Sequence, residues 1–399
     1  MKIVYITLEN MSFFKGSVVH VKEVIMGLRK LGHHVTLIAP ALGKIEYADC
    51  FYNIYPNAIN LIKFLGLKKK SYFISSVVLF LYLFKVIPQS EVTYAREFYA
   101  VLVALLPHLL FKKKLVFEIN GLASEEQKLR GDSFMNRIFS FFIKQAEMLA
   151  AKCSNLVVSV TPQISSYLMG HFHCRSDKIK VIQNGVNISS FYPIRDITVL
   201  KKSRKEVGIE EDERVVAFVG NIAPWQGVNI LIESAFRLLD KNERLKFLIV
   251  GDGLLKRTLV KKAKDSKWGE KIIFLGMRPY EEIPFLINIA DICVAPFINE
   301  RNRKTGVSPL KIFEYMACGK PVVSSRIEGL EFIEKEYAGQ LAEPDDAVSL
   351  AKALQDLLTN TKMRIEMGRR SLEIAREKFS WDSRVVEIDK ILSAISMKY

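Results

Sequence analysis

The chain has few cysteines, and none stands in a pattern that binds metal or builds a disulfide framework. Its five cysteines form no C-x-x-C pair, and no His/Cys cluster has the spacing of a zinc site. The first residues, MKIVYITLEN, lack the long apolar core and cleavage site of a signal peptide. These absences predict a protein that acts in the cytoplasm with free thiols and no bound metal.

The sequence also lacks an apolar run long enough for a transmembrane helix. Its most apolar stretch, residues 71–87, is shorter than the roughly 20 residues that cross a bilayer, and Lys85 and Pro88 close it. The stretch therefore predicts a buried or interfacial helix rather than a span.

Common catalytic signatures are missing as well. No G-x-S-x-G, P-loop, G-x-G-x-x-G or D-x-D motif stands out, and the six histidines fit no triad pattern. The chain therefore shows no nucleophile or general base of a familiar pattern.

What the chain does have is an uneven charge. Residues 1–190 carry 23 Lys and Arg against 12 Asp and Glu, whereas residues 191–399 carry 35 against 31. Lysine clusters stand at 68–70 and 112–114. A basic first half is typical of proteins that meet nucleic acid or an anionic membrane, although a solvated basic face gives the same composition.

Strands alternate with helices along both halves. Strands are predicted at residues 2–8, 34–39, 92–95, 114–119, 155–160 and 178–182, with helices at 18–31, 97–111 and 133–152. After a polar stretch at 193–205 that looks like a linker, the alternation restarts and ends in a helical region, 362–397, broken near 379–381. The pattern indicates an α/β protein of two doubly wound domains, with ligands in a cleft at the carboxyl ends of the sheets.

Residues 305–323, TGVSPLKIFEYMACGKPVV, carry the densest chemistry. Ser308 and Pro309 suit the start of a helix, whose free N–H groups bind anions. Lysine is unfavourable at that positive end, so Lys311 points to a negative ligand, with a surface lysine as the alternative. Glu314 lies three residues on and shares a face with Lys311. The pair could bind a diphosphate and a ribose.

This segment resembles the donor site of retaining GT-B glycosyltransferases of family 4. Glu314 matches the second of the family's two glutamates, which binds ribose hydroxyls, while Gly306 stands where the first one would be. The loop FVGNIAPWQG is similar to the family's G-R-x-x-x-x-K-G loop, with Asn221 and Gln226 in place of the arginine and lysine. VIQNGVN, VGDG and FLGM resemble further family segments.

The resemblance implies a donor site in the second domain. The residues implied to bind the donor are Gly220, Asn221, Gln226, Gly251, Gly253, Met277, Arg278, Val307, Ser308, Pro309, Leu310, Lys311 and Glu314. Catalysis is assigned to Lys311, Glu314 and Asn120.

The first domain is implied to bind the acceptor. GSVVH resembles the family's G-G-x-x-x-H loop, and Asn120 stands where many relatives have a histidine. Glu118 and Asn120 alternate along a strand end and should face the same side. Arg96 could hold a phosphate, or pair with Glu97 or Glu125. The candidate acceptor-binding residues are Gly16, Ser17, His20, Arg96, Glu118 and Asn120.

The resemblance implies the GT-B fold, with Rossmann-like domains at residues 1–190 and 206–378 facing a central cleft, and a helix at 379–399 returning to the first domain. It implies a metal-independent hexosyltransferase that uses a UDP- or GDP-linked sugar, needs no cofactor, and acts with retention. The expected acceptor is a lipid-linked or growing surface polysaccharide at the inner face of the cell membrane, with peripheral contact to anionic lipid. A GT-B-fold nucleotide-sugar epimerase and a non-catalytic polyanion binder remain as alternatives, whereas no nucleic-acid motif is present.

Overall fold

The protein is described by a computed structural model that covers residues 1–12, 16–41, 45–54, 71–128 and 133–397. The lysine cluster at 68–70 lies outside these described residues. The chain divides into two compact units: residues 1–184 with 381–399 form the first, and residues 185–380 form the second.

The first unit is built on a parallel sheet of seven strands in the order β3-β2-β1-β4-β5-β6-β7. Its strands are β1 (Lys2–Ile6), β2 (His34–Ala39), β3 (Cys50–Asn53), β4 (Val92–Arg96), β5 (Lys114–Ile119), β6 (Leu156–Ser159) and β7 (Ile179–Val181). Its helices are α1 (Gly16–Lys30), α2 (Ser71–Val86), α3 (Phe98–Phe111), α4 (Ala123–Lys128), α5 (Phe134–Cys153) and α6 (Pro162–Phe172). The inner strands β1, β4, β5 and β6 are short, mostly apolar and largely buried, because helices flank the sheet.

The second unit repeats this plan with six parallel strands in the order β10-β9-β8-β11-β12-β13. Its strands are β8 (Arg214–Val219), β9 (Leu245–Val250), β10 (Ile272–Gly276), β11 (Ile292–Ala295), β12 (Val322–Ser325) and β13 (Gly339–Ala342). Its helices are α7 (Ile197–Glu206), α8 (Val228–Leu239), α9 (Lys256–Lys264), α10 (Ile283–Asn288), α11 (Asn299–Thr305), α12 (Leu310–Ala317), α13 (Phe332–Lys335), α14 (Ala347–Thr359) and α15 (Thr361–Lys378). The predicted α/β class with two parallel, Rossmann-like sheets is confirmed.

The last helix, α16 (Trp381–Ser396), packs within the first unit on α1. A Cβ atom on Gly27 would lie 2.6 Å from a methyl group of Val385, so the two helices meet at a glycine. Asp389 lies 2.8 Å from Nε2 of His33 and extends the contact. The predicted helix break near 379–381 is confirmed, because α15 ends at Lys378 and α16 begins at Trp381.

The predicted linker at 193–205 is wrong over most of its length, because α7 occupies residues 197–206. Asp196 caps this helix by accepting a hydrogen bond from the Thr198 amide at 2.9 Å. Near its other end, Arg204 donates hydrogen bonds to the carbonyl oxygens of Ile289 and Glu210, both at 3.0 Å. A polar helix held by its ends shows little apolar periodicity, so the sequence pattern missed it.

No helix in the described ranges is long and apolar enough to cross a membrane. The apolar stretch predicted at 71–87 forms α2, which has 16 residues.

Candidate functional site

Lys311 lies at the start of α12, and its ammonium group is largely withdrawn from water. Nζ donates a hydrogen bond to Gln226 Oε1 at 2.6 Å and stands 4.1 Å from the ring centroid of Phe218. Burial lowers the pKa of Lys311 to about 7, although the charge of Glu314 opposes the shift. An anion bound beside this group would restore its full positive charge.

The loop after β8 comes so close to this ammonium that a side chain on Gly220 would displace it. Gly220 has φ 151°, and a Cβ atom there would lie 2.6 Å from Nζ of Lys311. A Cβ atom on Gly251, which follows β9, would lie 1.9 Å from the carbonyl oxygen of Gly220. The two loops therefore meet backbone to backbone at the carboxyl ends of neighbouring strands.

Glu314 lies one turn further along α12 and is buried. Its Oε1 accepts a hydrogen bond from the Tyr280 hydroxyl at 3.1 Å. Burial raises the pKa of Glu314 to about 7, although Tyr280 and the charge of Lys311 both favour the carboxylate. The charge interaction between Lys311 and Glu314 agrees with the expectation that the two side chains share a face of the helix.

Tyr315 fixes α12 against the end of β8. Its hydroxyl accepts a hydrogen bond from the Val219 amide at 2.8 Å and donates one to the Val219 carbonyl oxygen at 3.0 Å. The helix start is therefore set relative to the glycine loop by two hydrogen bonds, both buried.

Pro309, rather than the expected Ser308, occupies the N-cap position of α12, with φ −84° and ψ 113°, and its own side chain forms no capping hydrogen bond. Proline has no N–H, so the expected run of amides over 308–310 is interrupted. The amides of Leu310 and Lys311, in the first turn, are the ones that the helix itself cannot pair.

The remaining predicted donor residues lie around these loops. A Cβ atom on Gly253 would lie 2.4 Å from Oδ1 of Asn221, so both stand at the β8 and β9 ends. Met277 is 73% exposed, and its neighbour Arg278 lies 3.8 Å from Glu282. Val307, in contrast, is buried.

A second cluster of polar side chains lies inside the first unit, around Glu118. Glu118 Oε2 accepts a hydrogen bond from the Tyr94 hydroxyl at 2.7 Å, and Oε1 accepts one from Asn120 Nδ2 at 2.6 Å. Oε1 also lies 2.9 Å from Nε2 of His20 and 3.3 Å from Nε of Arg96. Glu118 and Asn120 therefore face the same side, as predicted.

Glu118 is ionised in this cluster. Burial alone raises its pKa, but His20, through its charge and hydrogen bonding, lowers the pKa to about 2 together with Arg96 and Asn120. The carboxylate is 1% exposed, so it holds its neighbours in place rather than facing solvent.

His20 is held from two further sides. Its Nδ1 lies 2.7 Å from Asn184 Oδ1, and the Trp381 ring packs edge-on at 5.0 Å between centroids. Gly16 and Ser17 begin the same helix one turn earlier.

Arg96 is paired rather than open to a phosphate. Register places it opposite Glu118 in the neighbouring strand, and its Nη1 donates to Glu97 Oε1 at 2.6 Å. The predicted pairing with Glu97 is confirmed, whereas Glu125 pairs with Lys128. The guanidinium is 5% exposed and lies between two carboxylates.

A cavity of about 290 Å³ opens beside this cluster, within the first unit. Asn120, Glu97 and Glu126 are among the residues that line it. Burial raises the pKa of Glu97 to about 7. The cavity therefore offers an amide and carboxyl groups that can hydrogen-bond hydroxyls.

Sequence reasoning missed several members of these two clusters. Tyr280 has no local signal, because it lies 34 residues from its partner Glu314. Phe218, beneath the ammonium, and Asn184, beside His20, stood in segments of recognised resemblance but were not singled out as site residues. Tyr94 could have been found from its two-residue spacing to Arg96 on one strand.

No cluster of three or more His, Cys, Asp or Glu side chains that could hold a metal ion occurs among the described residues.

Two family models match the chain in tandem and together span nearly all of it. Glycosyltransferase Family 4 matches residues 14–190, and Glycosyl transferases group 1 matches residues 177–373. The chain belongs to the glycosyltransferases that these two models describe, and its two parallel sheets have the GT-B fold. The predicted resemblance to GT-B glycosyltransferases of family 4 is thereby confirmed, while the predicted retention of configuration stays a prediction.

Individual proteins agree with this assignment. A D-inositol 3-phosphate glycosyltransferase of Corynebacterium efficiens is 30% identical over 71% of this chain, and the match spans 66% of that relative. Anabaena HepE, solved with UDP and glucose, superposes with a TM-score of 0.75 at 19% identity, covering 99% of this chain and 100% of HepE. WaaG, a glycosyltransferase involved in lipopolysaccharide biosynthesis, gives a TM-score of 0.72 at 14% identity, covering 98% and 99%. At these identities the structural neighbours show the fold alone.

Proposed function

We propose that this protein transfers a sugar from a UDP- or GDP-linked donor to a glycan acceptor, with retention of configuration and without a metal or other cofactor. The acceptor would be a lipid-linked or growing surface polysaccharide. The enzyme would act in the cytoplasm, at the inner face of the cell membrane.

The observation that carries the proposal is the withdrawn ammonium of Lys311. Burial disfavours its charge, and its hydrogen bond to Gln226 holds it against the β8 loop. Such an arrangement is costly in the empty protein and favourable once an anion lies beside it. A nucleoside diphosphate supplies that anion, and the first-turn amides of α12 would bind the same phosphates.

Glu314 would bind the ribose of the donor. Its carboxyl group is buried and hydrogen-bonded to Tyr280, and the family resemblance implies a ribose contact at this position. Hydroxyl donors favour the charged form of a buried carboxyl group, so binding would stabilise the carboxylate. Gly220, Gly251 and Gly253 would let the backbone approach the nucleotide closely.

The chemistry follows from these positions. The bond between the anomeric carbon and the diphosphate oxygen breaks, and Lys311 with the nearby amides stabilises the negative charge that develops on the leaving group. The acceptor oxygen attacks from the same face, and the departing phosphate oxygen takes its proton. Nothing in this scheme requires a protein nucleophile, which agrees with the absence of such a motif.

The acceptor would bind the first unit, in the cavity beside Asn120. Asn120 would contact the acceptor directly. Glu118 acts as a positioning residue, because it holds Asn120, His20 and Arg96. The helix start at Gly16 and Ser17 would contribute further amides.

Of the similar proteins, WaaG supports a glycan acceptor, because it is involved in lipopolysaccharide biosynthesis. The Corynebacterium efficiens relative is instead named for D-inositol 3-phosphate, which is not a glycan. HepE was solved with UDP and glucose, which supports a UDP-linked donor.

The test is calorimetry with UDP, GDP and ADP on the wild type and on Lys311→Ala. One nucleotide should bind at micromolar level, and the variant should lose at least ~1.4 kcal/mol, a factor of ten. The control is Lys262→Ala, which removes an exposed lysine paired with Glu233 in the same unit. If no nucleotide binds, or both variants bind like the wild type, the donor site is misplaced.

A transfer assay then separates the reaction classes. Sugar release from the donor only in the presence of a glycan acceptor supports transfer. Interconversion of the donor sugar without an acceptor would instead show a nucleotide-sugar epimerase.

A further inference from the structure

The outer faces of α3 and α5 expose a dense set of large apolar side chains. On α5, Phe134, Phe141 and Phe142 are 76%, 57% and 63% exposed. On α3, Leu109 and Leu110 are 58% and 59% exposed. Scattered single hydrophobic residues are normal at a protein surface, but a contiguous set marks a surface that is covered in use.

The two helices lie side by side, so these side chains form one surface. Exposed apolar residues on α3 and α5, here called the α3–α5 surface, are Tyr99, Leu106, Leu109, Leu110, Phe111, Phe134, Met135, Phe139, Phe141, Phe142 and Leu149. On α3 their spacing of three, four and seven residues is that of one helix face. The opposite face is already used, because Ala100 and Ala104 are buried in the core of the first unit.

The exposed charge carried by the two helices has one sign. The only acidic residue of either helix is Glu147, which is 1% exposed. Basic residues flank the apolar set: Lys112 directly after α3, and Arg137 and Lys152 on α5 are exposed. An apolar face rimmed by cations is complementary to an anionic lipid surface, whose headgroups pair with lysine while its acyl region accepts the aromatic rings.

We propose that the α3–α5 surface docks the protein on an anionic lipid bilayer, with its phenylalanine side chains inserted at the headgroup boundary. A second copy of the chain is less well matched, because pairing this face with itself would bring lysine against lysine. The inference deepens the membrane part of the proposed function. It rests on that function, because the lipid-linked acceptor would lie in the same membrane. Of the two lysine clusters in the first half of the chain, the one at 112–114 contributes Lys112 to this surface.

The test is flotation with vesicles of phosphatidylcholine alone and of phosphatidylcholine with an equal part of phosphatidylglycerol. The wild type should float with the anionic vesicles. The double variant Phe134→Ser/Phe142→Ser should partition at least about tenfold more weakly, because two rings no longer insert. Lys112→Glu should reduce the preference for phosphatidylglycerol. Ile365→Ser, which removes a 67% exposed side chain from the second unit, is the matched control and should float like the wild type.

Nucleotide calorimetry on the same preparations separates this inference from the donor site. Variants that keep nucleotide binding but lose flotation support the α3–α5 surface and show that they are folded. Flotation of the phenylalanine variant equal to that of the wild type would overturn the inference, whatever the nucleotide result. A wild type that sediments as a dimer and does not float, with a monomeric phenylalanine variant, would assign the surface to a second copy instead.

Discussion

Replacing Lys311 by methionine should change how nucleotide affinity depends on pH. Methionine keeps most of the apolar length of the side chain and removes the ammonium group that donates to Gln226 Oε1. Burial lowers the pKa of Lys311 to about 7 in the free protein. A nucleoside diphosphate bound beside the ammonium raises this pKa again, since a nearby anion favours the charged lysine.

The sign of the pH dependence follows from this difference. Below about pH 7 the lysine is protonated before and after binding, so its contribution to affinity is fully present. Above pH 7 binding must take up a proton, and the Kd of the wild type rises by up to about tenfold per pH unit. Other titrating groups, such as the terminal phosphate of the nucleotide, act in both proteins. The ratio of the two Kd values therefore isolates the lysine.

The expected size comes from two estimates. Unit charges about 4 Å apart attract by about 4 kcal/mol at an effective dielectric constant near 20, and hydrogen bonds to charged groups contribute about 1.5–3 kcal/mol in mutational series. We adopt about 2 kcal/mol, so the methionine variant should bind about 30-fold more weakly near pH 6.5. By about pH 8 the ratio should fall to about threefold, because most wild-type molecules must first gain a proton.

The assay is calorimetry across this pH range, repeated near pH 8 in two buffers of different ionisation enthalpy. The wild type should take up roughly 0.7 proton per nucleotide at that pH, because an interaction of about 2 kcal/mol leaves part of the bound lysine neutral, and the Lys311→Met variant should take up correspondingly less. Lys262→Met, at an exposed site, should match the wild type. An affinity ratio that stays constant with pH, or equal proton uptake by both proteins, would refute the reasoning.

Three further changes test neighbouring parts of the two clusters. Tyr280→Phe removes the hydrogen bond that favours the Glu314 carboxylate, so nucleotide binding near pH 7 should weaken about three- to tenfold. If the carboxylate binds ribose, the same variant should lose less affinity for a 2′-deoxynucleotide, measured by calorimetry. Gly220→Ala should weaken nucleotide binding by at least about tenfold, because its methyl group would displace the ammonium; Gly208→Ala, at φ 75° with open space around it, should lower the melting temperature without changing affinity. Glu118→Gln should destabilise the protein by about 3–5 kcal/mol at neutral pH in urea unfolding, because buried cations lose their partner. The wild-type advantage should shrink as the pH falls from about 4.5 towards 2, where Glu118 becomes protonated, and a pH-independent difference would contradict the assigned ion pairs.

Local patterns predicted the elements that carry the donor site. The strand before Gly220 and the helix that bears Lys311 and Glu314 both follow from short-range spacing and from the family motif. The residue at the N-cap of this helix could not be predicted in the same way, because both Ser308 and Pro309 are acceptable at a helix start and only the backbone angles decide between them.

Contacts between distant segments could not be read from the sequence. The ion pair of Arg96 with Glu118 depends on the strand order, which places β4 beside β5 in a register that sets these residues opposite each other. The hydrogen bond from Tyr280 to Glu314 depends on how the β10 loop lies against α12. Likewise, α3 is apolar on all sides, so its sequence predicts burial and only the packing shows which face is left exposed.

Glu118 and the Lys311–Glu314 pair respond to burial in opposite ways, and the difference indicates which of them binds a ligand. Glu118 meets opposite charges from His20 and Arg96, and its pKa falls to about 2. Lys311 and Glu314 are instead both shifted to about 7, each towards its neutral form. Since the unfolded chain holds the Lys311 proton up to a much higher pH, the buried ammonium costs stability most fully below about pH 7, and this cost fades as the pH rises towards 10. The Lys311→Met variant should therefore melt at a higher temperature than the wild type near pH 6, by an amount that shrinks at pH 9, while it binds nucleotide more weakly. A lower melting temperature at both pH values would mean that the ammonium stabilises the fold by itself and needs no anion to explain its place.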